Sequence, residues 1–66
     1  MNEVAYQLKN ARTKRGLTID ELAIKIGTSK EHLLNLEKGL VLPDLPLLEK
    51  VASELNYSFH IGNVSI

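Results

Sequence analysis

The stretch TIDELAIKIGTSKEHLLNLEKG, residues 18–39, decides the fold of this chain. Thr18 and Glu21 have the spacing of a capping box, in which the threonine hydroxyl accepts a backbone N–H and the glutamate reaches back to the cap residue. A helix begins there and ends at Gly27, because glycine readily adopts the left-handed conformation that terminates helices. The inward positions of this helix are Leu22, Ala23 and Ile26.

A second helix begins only two residues later. Ser29 caps its start, or Thr28 does so with Glu31 as its capping-box partner. Its inward positions are Leu33 and Leu36. So short a connection makes the two helices cross steeply and leaves the N-terminal end of the second one protruding.

Two further helices flank this pair. Val4, Leu8 and Ala11 recur at helical spacing and predict an earlier helix that closes in a basic last turn. A later helix begins at Asp44, with Pro46 tolerated because the first-turn amides have no partner within a helix. Its buried stripe consists of Leu47, Leu48, Val51, Ala52 and Leu55.

The C-terminal tail has a different period. Tyr57, Phe59 and Ile61 alternate with polar or small residues, which predicts one strand within residues 56–66. A lone strand cannot satisfy its own backbone and needs a partner. The sequence therefore predicts an all-α bundle of four to five helices with a short C-terminal β-strand.

The composition limits the possible classes of protein. The 66 residues are 44% hydrophobic, which indicates one compact globular unit. The chain has no cysteine, and this excludes disulfides, cysteine-based zinc sites and thiol nucleophiles. No apolar run approaches the length of a membrane span and the N-terminus does not resemble a signal peptide, so we expect a cytoplasmic protein.

The net charge is zero, but its distribution along the chain is uneven. Residues 1–38 hold seven basic and five acidic side chains, a net charge of +2, whereas residues 39–66 hold one basic and three acidic side chains, a net charge of −2. Phosphate contacts usually leave a basic footprint on a nucleic-acid-binding protein. The N-terminal half is therefore the candidate nucleic-acid face.

In the spacing of its helices and glycines the chain resembles the phage-repressor-like (Cro/CI, also called XRE) helix-turn-helix family. The resemblance extends over about residues 8–55. The residues that carry the resemblance are Leu22-Ala23, Ile26-Gly27, Ser29, Leu36-Glu37-Lys38-Gly39 and Pro43. It implies a lambda-repressor-like bundle, a DNA-binding transcriptional regulator, most often a repressor, and the segment from Ser29 to Asn35 in the major groove of double-stranded DNA.

The resemblance also implies which residues meet DNA. Lys30 suits guanine acceptors, Glu31 suits the cytosine amino group and Asn35 suits adenine. The whole predicted set is Thr18, Ser29, Lys30, Glu31, His32, Asn35 and Lys38. The alternative is a solvated helix face, with Glu31 serving only as a capping partner.

Arg12 and Glu37 stand where this family pairs an arginine late in its first helix with the glutamate that closes the recognition helix. The resemblance implies a structural pair that locks these helices together. The alternative is an ordinary exposed ion pair, which contributes about 0 to 1 kcal/mol.

Apolar residues stand at several positions where the family is usually polar: Ile19, Leu34, Leu40, Val41 and Leu42. If all point outward, they form an exposed apolar set of the kind that marks interfaces. The alternative is that the loop residues fold back onto the last helix.

The tail resembles that of antitoxin-type (HipB-like) members of the family, in which two subunits pair their strands. Residues 1–56 would then be the helix-turn-helix DNA-binding domain and residues 57–66 the dimerisation element, with Tyr57, Phe59 and Ile61 at the dimer interface. A homodimer would read an inverted repeat with two recognition helices. The alternative is a tail packed loosely on its own subunit.

An enzyme is not expected. No nucleophile stands beside a base at helical spacing, the glycines form no phosphate loop, and His32 and His60 are far apart without a cluster of metal ligands. We expect no metal and no cofactor. The competing function is an antitoxin or protein-interaction module that holds a toxin or another regulator, with DNA binding secondary.

Overall fold

The computed structural model describes residues 3–65, apart from the side chains of Ile61 and Val64. Four helices come first: α1 (Glu3–Lys14), α2 (Ile19–Ile26), α3 (Lys30–Glu37) and α4 (Leu45–Leu55). Two short strands follow, β1 (His60–Ile61) and β2 (Val64–Ser65). The predicted helical bundle is thus present. Within residues 3–65 no helix is both long and apolar enough to cross a membrane.

Local hydrogen bonds set where α2 and α3 begin. The Thr18 hydroxyl accepts the Glu21 N–H at 3.1 Å, and the Glu21 carboxylate accepts the Thr18 N–H at 2.9 Å, which completes the capping box. At the start of α3 the Ser29 hydroxyl accepts the His32 N–H at 3.1 Å. Ser29, rather than Thr28, is therefore the cap of α3.

Left-handed residues set where two of the helices end. Gly27 closes α2 with φ of 70°, and its N–H donates to carbonyls of the last turn of α2. Asn56 closes α4 with φ of 50°, a conformation that asparagine tolerates better than most residues with a side chain. At the other end of α4 the Asp44 carboxylate accepts the Leu47 N–H at 3.0 Å, as expected for its cap.

One hydrophobic core joins all four helices. Its members are Leu8, Ala11, Leu22, Ala23, Ile26, Leu33, Leu36, Leu48, Val51, Leu55 and Phe59. Leu33 and Leu36 are fully buried and fix α3 against the bundle. At about 25 cal/mol per Å² of apolar surface removed from water, this burial is the main force that stabilises the domain.

The tail differs from the single strand that the sequence predicts. It is a hairpin, in which antiparallel β1 and β2 pair His60 with Ser65 and Ile61 with Val64. Gly62 has φ of 61° at the first position of the two-residue turn, where hairpin turns of this length favour glycine. β1 therefore finds a partner strand within its own chain.

The role predicted for Phe59 is wrong in one respect. Its side chain is fully buried in the core of its own chain and is not available to a second subunit. Tyr57 is half-buried and meets Phe59 edge to face, with ring centroids 4.9 Å apart. Alternation places both rings on the side of the tail that faces the helices. The side chain of Ile61 lies outside the described residues.

Candidate nucleic-acid interface

The connection between α2 and α3 fixes how α3 is presented. The Thr28 N–H donates to the Ala23 carbonyl at 3.0 Å, which closes the end of α2 and turns the chain sharply. Because Leu33 and Leu36 are fully buried, α3 is anchored on one side and its opposite side faces solvent. The geometry is that of a helix-turn-helix pair whose second helix is free to enter a groove.

The predicted DNA-facing residues lie together on and around α3. Lys30, Glu31 and His32 are exposed in its first turn, and Asn35 is half-buried one turn later. Exposed Lys38 ends the helix. Thr18 and Ser29 are exposed cap residues at the starts of α2 and α3. Their oxygens accept backbone N–H groups, which leaves each hydroxyl hydrogen available to an outside acceptor such as phosphate.

Lys30 has an acidic neighbour that the sequence did not indicate. Its ammonium lies 3.6 Å from a carboxylate oxygen of Asp20 in the first turn of α2, and both side chains are exposed. An exposed pair of this kind contributes little to stability. Its effect on this surface is instead to reduce the positive charge that Lys30 offers to DNA.

Arg12 and Glu37 form a bidentate ion pair between α1 and the end of α3. The Arg12 Nε and Nη2 atoms donate to the two carboxylate oxygens at 2.8 and 3.1 Å, and Nη1 donates to the Leu17 carbonyl at 2.7 Å. The side chains are only 12% and 5% exposed. This is a buried structural pair and not the ordinary exposed one, and it sets the position of α3.

Two polar residues of α1 hold the C-terminal part of the chain, and sequence reasoning missed both. The Gln7 amide donates to the His60 carbonyl at 2.7 Å and accepts the His60 N–H at 2.8 Å. Arg15 donates to the carbonyls of Leu55 and Asn56 at 2.7 and 3.2 Å. Gln7 stands within the apolar stripe of α1, three residues after Val4, and that position was the signal of its burial.

The apolar loop between α3 and α4 is open to solvent. Leu40 and Leu42 are 70% and 80% exposed, and Val41 is also exposed. The loop therefore does not fold back onto α4. Ile19 and Leu34 are half-buried, and Ile19 packs against the core, so not all five of these side chains point outward.

The capping box lowers the pKa of one carboxylate at this surface, that of Glu21. The backbone N–H of Thr18 donates to the Glu21 carboxylate, and this bond lowers the pKa of Glu21, with the Thr18 hydroxyl contact and the Lys25 charge adding to the effect. Glu21 is therefore held ionised at the start of α2. A negative side chain there is favourable, because the N-terminus of a helix carries partial positive charge.

A model of the helix-turn-helix family matches residues 8–61. The chain belongs to this family. Its curated relatives include the HTH-type transcriptional regulator SinR of Bacillus subtilis, 34% identical over 58 residues that cover 86% of the chain and 52% of SinR. An uncharacterized HTH-type transcriptional regulator of Archaeoglobus fulgidus is 40% identical over 50 residues, covering 76% of the chain and 71% of that protein. The chain thus spans about half the length of SinR.

Solved structures agree with this assignment. A SinR protein/SinI protein complex matches 82% of the chain and 53% of the solved chain with a TM-score of 0.76 and 33% identity. The structure of an HTH_3 family transcriptional regulator from Vibrio cholerae matches with a TM-score of 0.75 and 42% identity. The match covers 82% of the present chain and 30% of the Vibrio chain. These relatives confirm the phage-repressor-like resemblance and the expectation that this helix-turn-helix protein is not an enzyme.

Proposed function

We propose that the protein is a cytoplasmic transcriptional repressor that reads an inverted repeat in DNA as a homodimer. The observation that carries the proposal is the exposed side of α3. It projects Lys30, Glu31 and Asn35 from a helix held by two fully buried leucines and by the Arg12–Glu37 pair. The relatives named as transcriptional regulators support the same role.

The chemistry of these side chains supports base recognition. Lys30 donates to guanine O6 and N7, Asn35 offers one donor and one acceptor to adenine, and Glu31 accepts from cytosine N4. The hydroxyls of Thr18 and Ser29 and the ammonium of Lys38 suit phosphates. His32 stands at the edge of this set, in the same turn of α3.

A homodimer is supported by the unequal edges of the hairpin. The outer edge of β1 is occupied, because the Gln7 amide takes both the N–H and the carbonyl of His60. The remaining edge is that of β2, which has no further strand in the described part of the chain. A second subunit that pairs along β2 would supply a second copy of α3, and an inverted repeat requires two such helices about one DNA turn apart. In this form of the proposal the tail contributes half-buried Tyr57 and the β2 edge, and not Phe59.

A second candidate function is a protein-interaction module, such as an antitoxin that holds a toxin. The exposed loop Leu40 to Leu42 favours it, since apolar side chains grouped on a surface often mark an interface. SinR has been solved with SinI protein, and this shows that a similar chain accepts a protein partner. A regulator that both reads DNA and binds a protein would combine the two functions.

Selection of bound fragments from a random DNA pool tests the primary function. We expect an inverted repeat to emerge, and the variant with Lys30→Ala and Asn35→Ala to lose binding to it while keeping the melting temperature. Lys9→Ala, on the exposed side of α1, is the matched control and should bind normally. No enrichment from the pool would favour the interaction module. Operator binding by the double variant would refute the assignment of α3 residues.

A further inference from the structure

A shallow groove is lined by the end of α2 and the turn that follows it, by His32 of α3, and by the first half of α4 with the loop before it. Its volume is about 380 Å³. Its polar lining comes from Thr28, His32, Asp44 and Lys50, and its apolar lining includes Ile26 and Leu47. Lys50, a basic residue of α4 outside the helix-turn-helix pair, thus lines the same groove as His32 of the recognition helix.

The dimensions of DNA would place this groove near a phosphate backbone when α3 lies in the major groove. The major groove is about 12 Å wide and a helix with its side chains is about 10–12 Å across, so both phosphate backbones pass close to an inserted α3. Lys30, on one side of α3, lies beside Asp20 at the start of α2. His32, two residues later and therefore on about the opposite side of the helix, lines the groove together with Lys50.

Three side chains of the groove are donors available to an outside anion. The Lys50 ammonium, the His32 ring and the Thr28 hydroxyl have no hydrogen bond or ion pair with another described residue within residues 3–65. Lys50 and His32 are also exposed. Phosphate oxygens accept hydrogen bonds from all three kinds of group.

Charge elsewhere in the chain makes Lys50 important. The chain has no net charge. The Arg12 guanidinium is paired with Glu37, the Arg15 guanidinium donates to backbone carbonyls, and the Lys30 ammonium lies beside Asp20. In residues 39–66 Lys50 is the sole basic residue, and its place in the fold is beside α3 and not in the tail. The remaining lysines are Lys9, Lys14, Lys25 and Lys38, and none of them lines this groove.

We infer that this groove binds a phosphate of the DNA strand on the α4 side of the recognition helix, with Lys50 as the main donor and His32 and Thr28 assisting. The inference rests on the proposed function and adds a contact outside the helix-turn-helix pair. Asp44 disfavours phosphate binding, because this acidic residue lines the same groove while its carboxylate caps α4. The strength of the phosphate contact is thus set by a cation and an anion on one helix.

The test measures binding to a random-sequence duplex and to the selected operator over a range of salt concentrations. Lys50→Ala is expected to weaken both several-fold, and to make the slope of log K against log salt shallower by about 0.9, the value of one phosphate contact. Lys9→Ala is the matched control and should leave the slope unchanged. Asp44→Ser keeps a residue that caps helices well and removes the negative charge, so it should tighten binding to both duplexes.

A slope in Lys50→Ala equal to that of the unaltered protein would overturn the inference, as would weaker binding by Asp44→Ser at an unchanged melting temperature. Melting curves of each variant separate a lost contact from a lost fold. Failure of the proposed function looks different, because the unaltered protein would then bind neither duplex. Failure of the inference alone leaves that binding intact and its salt dependence insensitive to Lys50.

Discussion

Two helices of this protein, α1 and α3, carry long polar side chains and use them in opposite ways. On α1 the side chains of Gln7, Arg12 and Arg15 are bound to groups of the same chain. On α3 Glu37 is the partner of Arg12, but the side chains of Glu31 and Asn35 have no such partner in the described part of the chain. A polar helix surface therefore has two uses: to hold distant segments together, or to remain available to another molecule.

Among the variants that test this contrast between α1 and α3, Arg12→Ala is expected to change stability the most. Glu37 would be left nearly buried without its cation, and the free energy of unfolding should fall by about 3 kcal/mol, as when one partner of a buried pair is removed. Urea unfolding measures this loss, with Lys9→Ala as the exposed control on the same helix. A loss below about 1 kcal/mol would assign the pair to the ordinary exposed class.

The next effect is expected from Gln7→Ala. Removal of the Gln7 amide breaks two part-buried hydrogen bonds to the backbone of His60, at a cost of about 2 kcal/mol for the two together. Hydrogen exchange reports this directly, because the His60 amide should lose its protection while amides in the middle of α2 keep theirs. Unchanged protection at His60 would mean that the hairpin does not depend on α1.

The sequence was sufficient for the helical part of this comparison, because the signals that define α2 and α3 are local. The Thr18–Glu21 capping box and Gly27 act within one turn of chain, and the buried leucines of α3 follow from helical period alone. The Arg12–Glu37 pair came from family resemblance, because no local rule relates residues 25 positions apart.

The tail was harder to predict for a physical reason. Alternation shows that Tyr57 and Phe59 share a side of the chain, but it does not distinguish a core of the same subunit from that of a partner. The Gly62-Asn63 pair was a hairpin signal between two apolar residues and was missed. The contacts of Gln7 with His60 join positions 53 apart and leave no pattern except a polar residue inside an apolar stripe.

A smaller effect on stability, with a larger one on function, is expected at the Lys30–Asp20 pair. Lys30→Ala should change the free energy of unfolding by about 0.5 kcal/mol or less, because both side chains are exposed. Operator affinity should nevertheless fall roughly tenfold through the loss of a base contact. Asp20→Asn should tighten binding a few-fold by freeing the ammonium. Fluorescence anisotropy and thermal melts on the same samples measure both, and a large stability loss in Lys30→Ala would place this residue with those of α1.

Glu21 shares features of both groups of side chains, because it is exposed like those of α3 and yet bound to its own chain like those of α1. We expect the smallest effect on stability here. Its pKa is lowered chiefly by the Thr18 backbone N–H, so its contribution to stability is present above its ordinary pKa of 4.5 and is lost as the pH falls through the lower folded value. The unfolding free energy of the unaltered protein should therefore decline between about pH 5 and pH 3 more steeply than that of Glu21→Gln, which keeps a capping-box residue without the titration. Glu54→Gln, on the exposed side of α4, controls for the loss of one carboxylate from the net charge. Equal slopes for Glu21→Gln and the unaltered protein would show that an exposed cap of this kind holds the backbone without coupling it to protonation.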